Sequence, residues 1–408
     1  LVRSRGLGDV YKRQVLYALS LVTMLAMVTL IIFSHGRQSG APAKDALSET
    51  DISSTEEPVQ IPEAEEAEET EAADGQNGIQ NDTEQEETDK QAEAGNTEGD
   101  GSTTLIFAGD VLFANAFKSN YDASGIEKVI EPQLLQELQD ADIFMVNNEF
   151  PFSNRGEPME DKQFTFCCDP KYVKALNEMG VDIVSLANNH TLDYGRDALS
   201  DTFTTLDGAG ILYAGAGETK ERAYELQIIE KNGKKFGFLA ASRVVPESNW
   251  KVEERTPGML TAYDDTKLVQ LIKEARSECD FLSVYIHWGV EYDAYPQDYQ
   301  TKIATDCFNA GADLILGAHT HCLQGISYIS GKPVFYSLGN FVFGQNIDKT
   351  AAVKVQVACD GTVSYGLLPV YAAGGTTKLM DTNSASALYQ YMTQISNGVT
   401  IGADGKIN

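Results

Sequence analysis

From residue 103 onward the chain alternates short apolar runs with helical stretches, and that alternation restricts it to an α/β architecture. The strand-like runs cover 104–108, 143–146, 183–186, 237–241, 281–286, 314–316 and 334–337. Between them lie helical patterns at 132–141, 170–179, 195–209, 265–279 and 299–310. A recurring junction, Ala141-Asp142-Ile143, Val181-Asp182-Ile183 and Ala312-Asp313-Leu314, marks helix exits that feed strands. Beyond residue 351 the pattern turns β-rich (353–357, 363–367) and then helical near 385–395. No internal repeat is visible. The simplest division is one domain over 103–376 followed by a C-terminal helical tail, 377–408.

Most of those apolar runs end in a residue that can bind a metal. Asp110 closes the first, and Glu149 sits in Asn147-Asn148-Glu149-Phe150-Pro151. His190 follows Asn188-Asn189, His287 precedes Trp288-Gly289, and His319 and His321 stand in Gly317-Ala318-His319-Thr320-His321. Four of the five histidines are therefore in strand-end motifs. Together these residues offer the nitrogen and oxygen donors that a zinc, manganese or iron site uses. Each also has a bland reading. Asp110 could cap a turn, Asn188 and Asn189 suit left-handed turn positions, and His287 alone would read as a core histidine. His319 and His321 differ, because positions i and i+2 of an extended segment project to one side, which suits chelation. Arg243, just past the 237–241 run, could clamp an anion bidentately or form a surface ion pair. Glu291, with Tyr292 and Tyr295, trails His287 into a loop where it could reach substrate. Asn340, in Ser337-Leu338-Gly339-Asn340-Phe341, follows a strand where small residues let backbone approach a ligand.

Charge and hydropathy divide the rest of the 408 residues. Residues 41–100 hold 20 Asp/Glu against 2 Lys, within a total net charge of −29. Such an acidic chain repels phosphate backbones, which excludes nucleic acid as a natural partner. The stretch 34–102 is too polar and too uniformly charged to pack a core, so it is expected to be a disordered acidic linker spanning on the order of 45 Å. Residues 15–33 carry no charge and approach the ~20 residues that cross a bilayer core. Arg3, Arg5, Lys12 and Arg13 precede them, so the expected topology is a single-pass membrane anchor with the N-terminus in the cytoplasm and the remainder outside. The anchor is preferred to a cleaved signal peptide because the run exceeds a usual signal core. Residues 1–14 show no pattern and are read as a cytoplasmic stretch or an artefact of a wrongly assembled start. The six cysteines form no dense disulfide framework, and Cys167-Cys168 read as core thiols.

Taken in order, Gly109-Asp110, Asn147-x-Glu149, Asn188-Asn189-His190, His287-Trp288-Gly289-x-Glu291, Gly317-Ala318-His319-x-His321 and Ser337-Leu338-Gly339-Asn340-Phe341 resemble the capsule-synthesis protein CapA (PgsA) family, within the calcineurin-like metallophosphatase superfamily. The resemblance covers roughly 103–375. It implies a four-layer α/β/β/α sandwich and a role in poly-γ-glutamate capsule synthesis or export at the bacterial cell surface. By position, Asp110, Glu149, Asn189, His287, His319 and His321 would be ligands for one or two divalent ions (Mn, Zn or Fe). His190 would be the acid beside them, with Glu149 sharing in catalysis. Two departures stand out: the superfamily's first motif has a histidine where this chain has Leu112, and Glu149 replaces a bridging aspartate. Two functions follow. One is a metal-dependent hydrolase of a phosphoester or γ-glutamyl amide. The other is a non-catalytic subunit that binds poly-γ-glutamate, or another anionic polymer, and couples it to the membrane subunits of a capsule synthetase; Leu112 favours the latter.

Overall fold

The computed structural model describes residues 101–408, and each of the seven strand-like runs read from the sequence overlaps one of its strands. The expected N-terminal stretch, the anchor at 15–33 and all but the last two residues of the expected linker lie outside the described residues. Among the described residues no helix is long and apolar enough to cross a membrane.

The chain forms a mixed α/β fold with several sheets. Its strands are β1 (Thr103–Val111), β2 (Ile143–Asn148), β3 (Ile183–Ser185), β4 (Leu212–Ala214), β5 (Ala216–Gly217), β6 (Gln227–Lys231), β7 (Lys234–Ser242), β8 (Gly258–Met259), β9 (Phe281–His287), β10 (Leu314–Ala318), β11 (Ile326–Ile329), β12 (Lys332–Phe335), β13 (Asn340–Val342), β14 (Ile347–Val357), β15 (Val363–Ala373) and β16 (Thr376–Leu379). The first sheet runs β16-β15-β14-β1-β2-β3-β4, with β13 also paired to β1. The second runs β11-β12-β10-β9-β7-β6, and β5 and β8 make a small separate pair. Strands β1 to β4 are mutually parallel, as are β7, β9, β10 and β12.

The nearly continuous apolar composition of β1 and β9 suits strands covered on both faces, and β9 is buried throughout. In β7 alternation decides which core each residue joins. Leu239 and Ala241 pack with Leu268, Ile272, Ile303 and Cys307 of the helices Thr266–Ala275 and Asp298–Ala310. Phe238 and Ala240 instead join the larger core that contains β1, β2 and β3. Between the sheets, the Tyr285 hydroxyl donates to Ala108 O at 2.8 Å, and the Phe107 and Phe238 rings lie 6.4 Å apart. A helix over Gly195–Ala209 ends at Gly210, whose φ of 71° is the left-handed stop that glycine adopts without strain.

The expected helical tail 377–408 contains a helix that packs on the main core. Asp381 caps the helix Thr382–Ile395, and Leu388, Tyr389 and Met392 bury into the main core. Apolar residues at i, i+1 and i+4 give that helix a face, and β15 supplies the surface to cover it.

Candidate functional site

Parallel strands direct their C-terminal ends the same way, and in α/β sheets ligands bind beyond those ends. Here the ends of two sheets meet. β1 brings Asp110, β2 leads into Glu149, and the turn after β3 carries Asn188, Asn189 and His190. From the second sheet, β9 ends at His287 and β10 is followed by His319 and His321; Ala318 stands opposite His287 in the ladder. The crossing needs a bare backbone: a Cβ on Gly109 would lie 1.8 Å from Gly339 O. That closeness lets Asp110 N donate to Gly339 O at 2.9 Å and sets Asp110 beside Asn340.

Six of the ten residues singled out from sequence, Asp110, Glu149, Asn189, His287, His319 and His321, are brought together in one cluster, with Asn147 between them. Asn147 Nδ2 donates to Asp110 Oδ1 (2.7 Å) and sits 3.3 Å from His287 Nδ1. His287 Nε2 is 2.7 Å from Asn189 Oδ1 and 3.4 Å from Glu149 Oε1. Asp110 Oδ2 accepts from the His319 amide at 3.2 Å and lies 3.6 Å from His321 Nδ1. Asn340 joins as the seventh of the ten, its Oδ1 2.8 Å from His321 Nδ1. Glu291 lines the adjoining cavity. Arg243 does not: its guanidinium lies over the Tyr263 ring at 3.6 Å and the Tyr299 ring at 4.7 Å, a stacked geometry that planar guanidinium favours.

His319 and His321 converge by a route the alternation argument did not foresee. β10 stops at Ala318, and both histidines have positive φ, 93° and 56°. Two left-handed residues in one turn, not a strand's period of two, bring the rings to 6.1 Å. Such backbone is strained for non-glycine residues and concentrates at functional sites.

Burial sets the electrostatics. It pushes the Glu149 carboxyl well above its usual range, and the neighbouring Asp110 charge adds to this. Burial likewise drives His287 well below its ordinary value, helped by His319 and His190, and lowers His319 to about 4 despite Asp110. His321 goes the other way, to about 10: burial opposes its charge, but the Asp110 hydrogen bond and the charges of Glu149 and Asp110 outweigh it.

Among the described residues, neither Glu149 oxygen nor His319 Nδ1 has a hydrogen-bond partner, although all three atoms are buried. Unsatisfied buried polar atoms are costly and scarce. Their neighbours explain them. Glu149, His287 and His319 present ligand atoms within 4.8 Å of one another, as do Asp110, Glu149 and His321. These buried groups could hold a metal ion, and Glu149 belongs to both.

His190 stands beside this cluster with a different set of partners. Its Nδ1 is 2.6 Å from Asp193 Oδ2, and Phe166 packs on its ring at 4.4 Å. Burial lowers its proton affinity although Asp193 raises it. Lys162 bonds the other oxygen of Asp193 and the Asn189 carbonyl. Sequence reasoning missed both residues: for Asp193 the i+3 spacing from His190 was the available signal, and Lys162, from a loop with no periodicity, carried none. The cavity beside these residues measures about 300 Å³ and is lined by Lys162, Phe166, His190, Tyr292, His321 and Phe343, among others.

Residues 104–345 match the family described as bacterial capsule synthesis protein PGA_cap. The chain is 28% identical to the PGA biosynthesis protein CapA of Bacillus subtilis over 76% of its length and 83% of the relative's. It is 30% identical to the capsule biosynthesis protein CapA of Bacillus anthracis, covering 67% of this chain and 69% of that one. A probable polyglutamine synthesis accessory protein of Mycobacterium tuberculosis is 30% identical over 49% of this chain and 55% of its own.

Proposed function

The chain belongs to the bacterial capsule synthesis protein PGA_cap family, and from that premise we propose that it is a metal-dependent hydrolase acting on a linkage of the capsule polymer or its precursor. The observation that carries this reading is the pair of donor triads sharing Glu149, whose buried oxygens have no hydrogen-bond partner among the described residues. Glu149, His287, His319 and Asn189 would hold one ion, and Asp110, Glu149 and His321 a second; Mn, Zn and Fe all suit this donor set. A divalent cation there supplies Lewis acidity toward a carbonyl or phosphoryl oxygen and acidifies water.

The chain's own residues supply proton transfer. With Nδ1–H donated to Asp193, neutral His190 leaves Nε2 free to take a proton from water and return it to a leaving group. Lys162 pairs with Asp193, bonds the Asn189 carbonyl and stands 3.1 Å from His190 Nδ1, holding the 189–193 turn in place. The helix–sheet–sheet–helix layering belongs to the same proposal, supported by the two core clusters on either face of β7.

The scaffold alternative rests on Leu112, an apolar, buried residue where the superfamily's first motif has histidine. It places polymer binding, and coupling to membrane synthetase subunits, ahead of catalysis. Capsule formation separates the two. A well-folded variant carrying His190→Ala and His319→Ala should make no normal capsule if the site is catalytic; undiminished capsule establishes the scaffold.

The anchor and the external position of the domain are proposed with it, on the uncharged run 15–33 and the four basic residues before it. Protease added to intact protoplasts should release a soluble fragment by cutting within 41–100. Full protection of residues 103–408 contradicts this topology.

A further inference from the structure

The two donor triads are not equally furnished. Around the first, Asn189 adds an amide oxygen to Glu149, His287 and His319, which makes four side chains. The second has three, Asp110, Glu149 and His321. Where the superfamily's first motif carries histidine this chain has Leu112, whose buried side chain offers no donor. A tetrahedral ion held by protein alone takes four ligands.

The contacts around two of the histidines repeat. His287 Nε2 has the Asn189 amide oxygen at 2.7 Å and a Glu149 carboxylate oxygen at 3.4 Å. His321 Nδ1 has the Asn340 amide oxygen at 2.8 Å and an Asp110 carboxylate oxygen at 3.6 Å. In each set one amide oxygen and one carboxylate oxygen close on a ring nitrogen. Bonds of about 2.1 Å to one ion, at angles of about 90–109°, separate neighbouring donor atoms by about 3.0–3.4 Å. The four observed distances straddle that range.

The fold holds Asn340 in that place. β14 pairs with β1 from Thr103 to Phe107, and beyond it β13 takes over as neighbour, setting Asn340 opposite Asp110. The register then slips between Asp110 and Val111, an irregularity of the kind that re-aims side chains beside active sites. The turn before Asn340 is laced to the turn that carries the histidines. Thr320 Oγ1 donates to Ser337 Oγ at 2.8 Å, Ser337 Oγ accepts from Gly339 N at 3.1 Å, and Leu338 N donates to Gly317 O at 3.0 Å. Asn340 is 5% exposed and takes no part in lining the cavity beside His190, so its amide oxygen is turned to the cluster and not to the cavity.

We propose that Asn340 Oδ1 is the fourth protein ligand of the second ion, supplying from β13 the donor that Leu112 does not supply from the first motif, and that the site therefore holds two ions. The inference rests on the metal-dependent reading above. In the metal-free chain His321 Nδ1–H donates to Asn340 Oδ1; an ion at Nδ1 displaces that hydrogen and meets the same oxygen. The two sites then differ in character. The first offers two ring nitrogens and two oxygens, the second one nitrogen and three oxygens, and oxygen-rich sets suit Mn²⁺.

The test loads the full chain with Mn²⁺ after chelation, counts the metal by elemental analysis and determines a crystal structure of the loaded protein. Wild type should hold two equivalents, with Asn340 Oδ1 about 2.1 Å from the ion on Asp110 and His321. Asn340→Ala should hold one, its affinity for the second ion falling by more than the roughly 10–100-fold that loss of a supporting partner produces. Asn340→Asp keeps an oxygen at the same reach and should hold two. Thermal unfolding in chelator checks that each variant folds. Two equivalents in folded Asn340→Ala, one in folded Asn340→Asp, or a loaded structure with Oδ1 out of reach of the ion overturns the ligand. One equivalent in wild type overturns the second site and leaves the hydrolase reading on the first. No metal in folded wild type removes that reading, and this inference with it.

Discussion

Replacing Glu149 by glutamine is expected to stabilise the metal-free protein while abolishing its metal binding, two effects of opposite sign from one atom exchange. Glu149 is fully buried, and neither oxygen has a hydrogen-bond partner among the described residues. Burial, followed by repulsion from Asp110, pushes its proton affinity far above the usual 4.5. A group raised in this way contributes stability below its unfolded value and loses it as pH rises toward the folded value. The wild-type metal-free protein should therefore weaken, relative to Glu149→Gln, as pH climbs above about 4.5. By neutral pH the variant should lead by about 1–3 kcal/mol, the scale of a buried unsatisfied polar group. Metal affinity moves the other way. Both triads lose their shared anionic oxygen, and the loss should exceed the roughly 10–100-fold that removing a mere supporting contact produces. Thermal unfolding in chelator at several pH values, with elemental analysis in its absence, reads both effects. A metal-free variant less stable than wild type at neutral pH, or one that keeps its metal, would show that Glu149 is structural.

The second large effect separates holding a metal from moving a proton. His319→Ala should strip metal, because its Nδ1 is buried, has no hydrogen-bond partner among the described residues and belongs to the triad with Glu149 and His287. His190→Ala should leave metal content unchanged, since His190 belongs to neither triad and faces Asp193. Its loss should appear in turnover of the capsule-polymer linkage, by about 10²–10⁴-fold. Metal loss in His190→Ala would move that residue into the ligand set. Full metal retention in His319→Ala would remove His319 from it.

The strands and the residues at their ends were legible because both follow local rules. Runs such as 281–286 are apolar but for Ser283, and a strand of that kind has a C-terminal end where a donor can sit. The long helix 195–209 was read with its observed limits, since Gly195 and Gly210 bracket a clear apolar face. What failed to show was set by contacts distant in sequence. The helix Asn115–Ser124 hides Phe117 and Tyr121 among polar residues and has no side-chain cap to announce it. Lys162 matters only because its loop folds back on Asp193, 31 positions away. Asn147 stood in the quoted Asn147-x-Glu149 motif, yet its place between Asp110 and His287 needs two sheets to meet. For Arg243, residue type suggested an anion clamp, but Tyr263 and Tyr299, both remote in sequence, decided where the guanidinium lies.

The central claim is that the buried triads exist to hold metal, and the metal content of the purified full chain tests it most directly. At least one equivalent of Mn, Zn or Fe should copurify or be taken up on reconstitution. Chelation should lower the unfolding temperature, and restoring the ion at about 100 times its Kd should return about 2.7 kcal/mol of stability. Protein that carries no metal, takes none up, and unfolds at the same temperature with or without chelator would contradict the account.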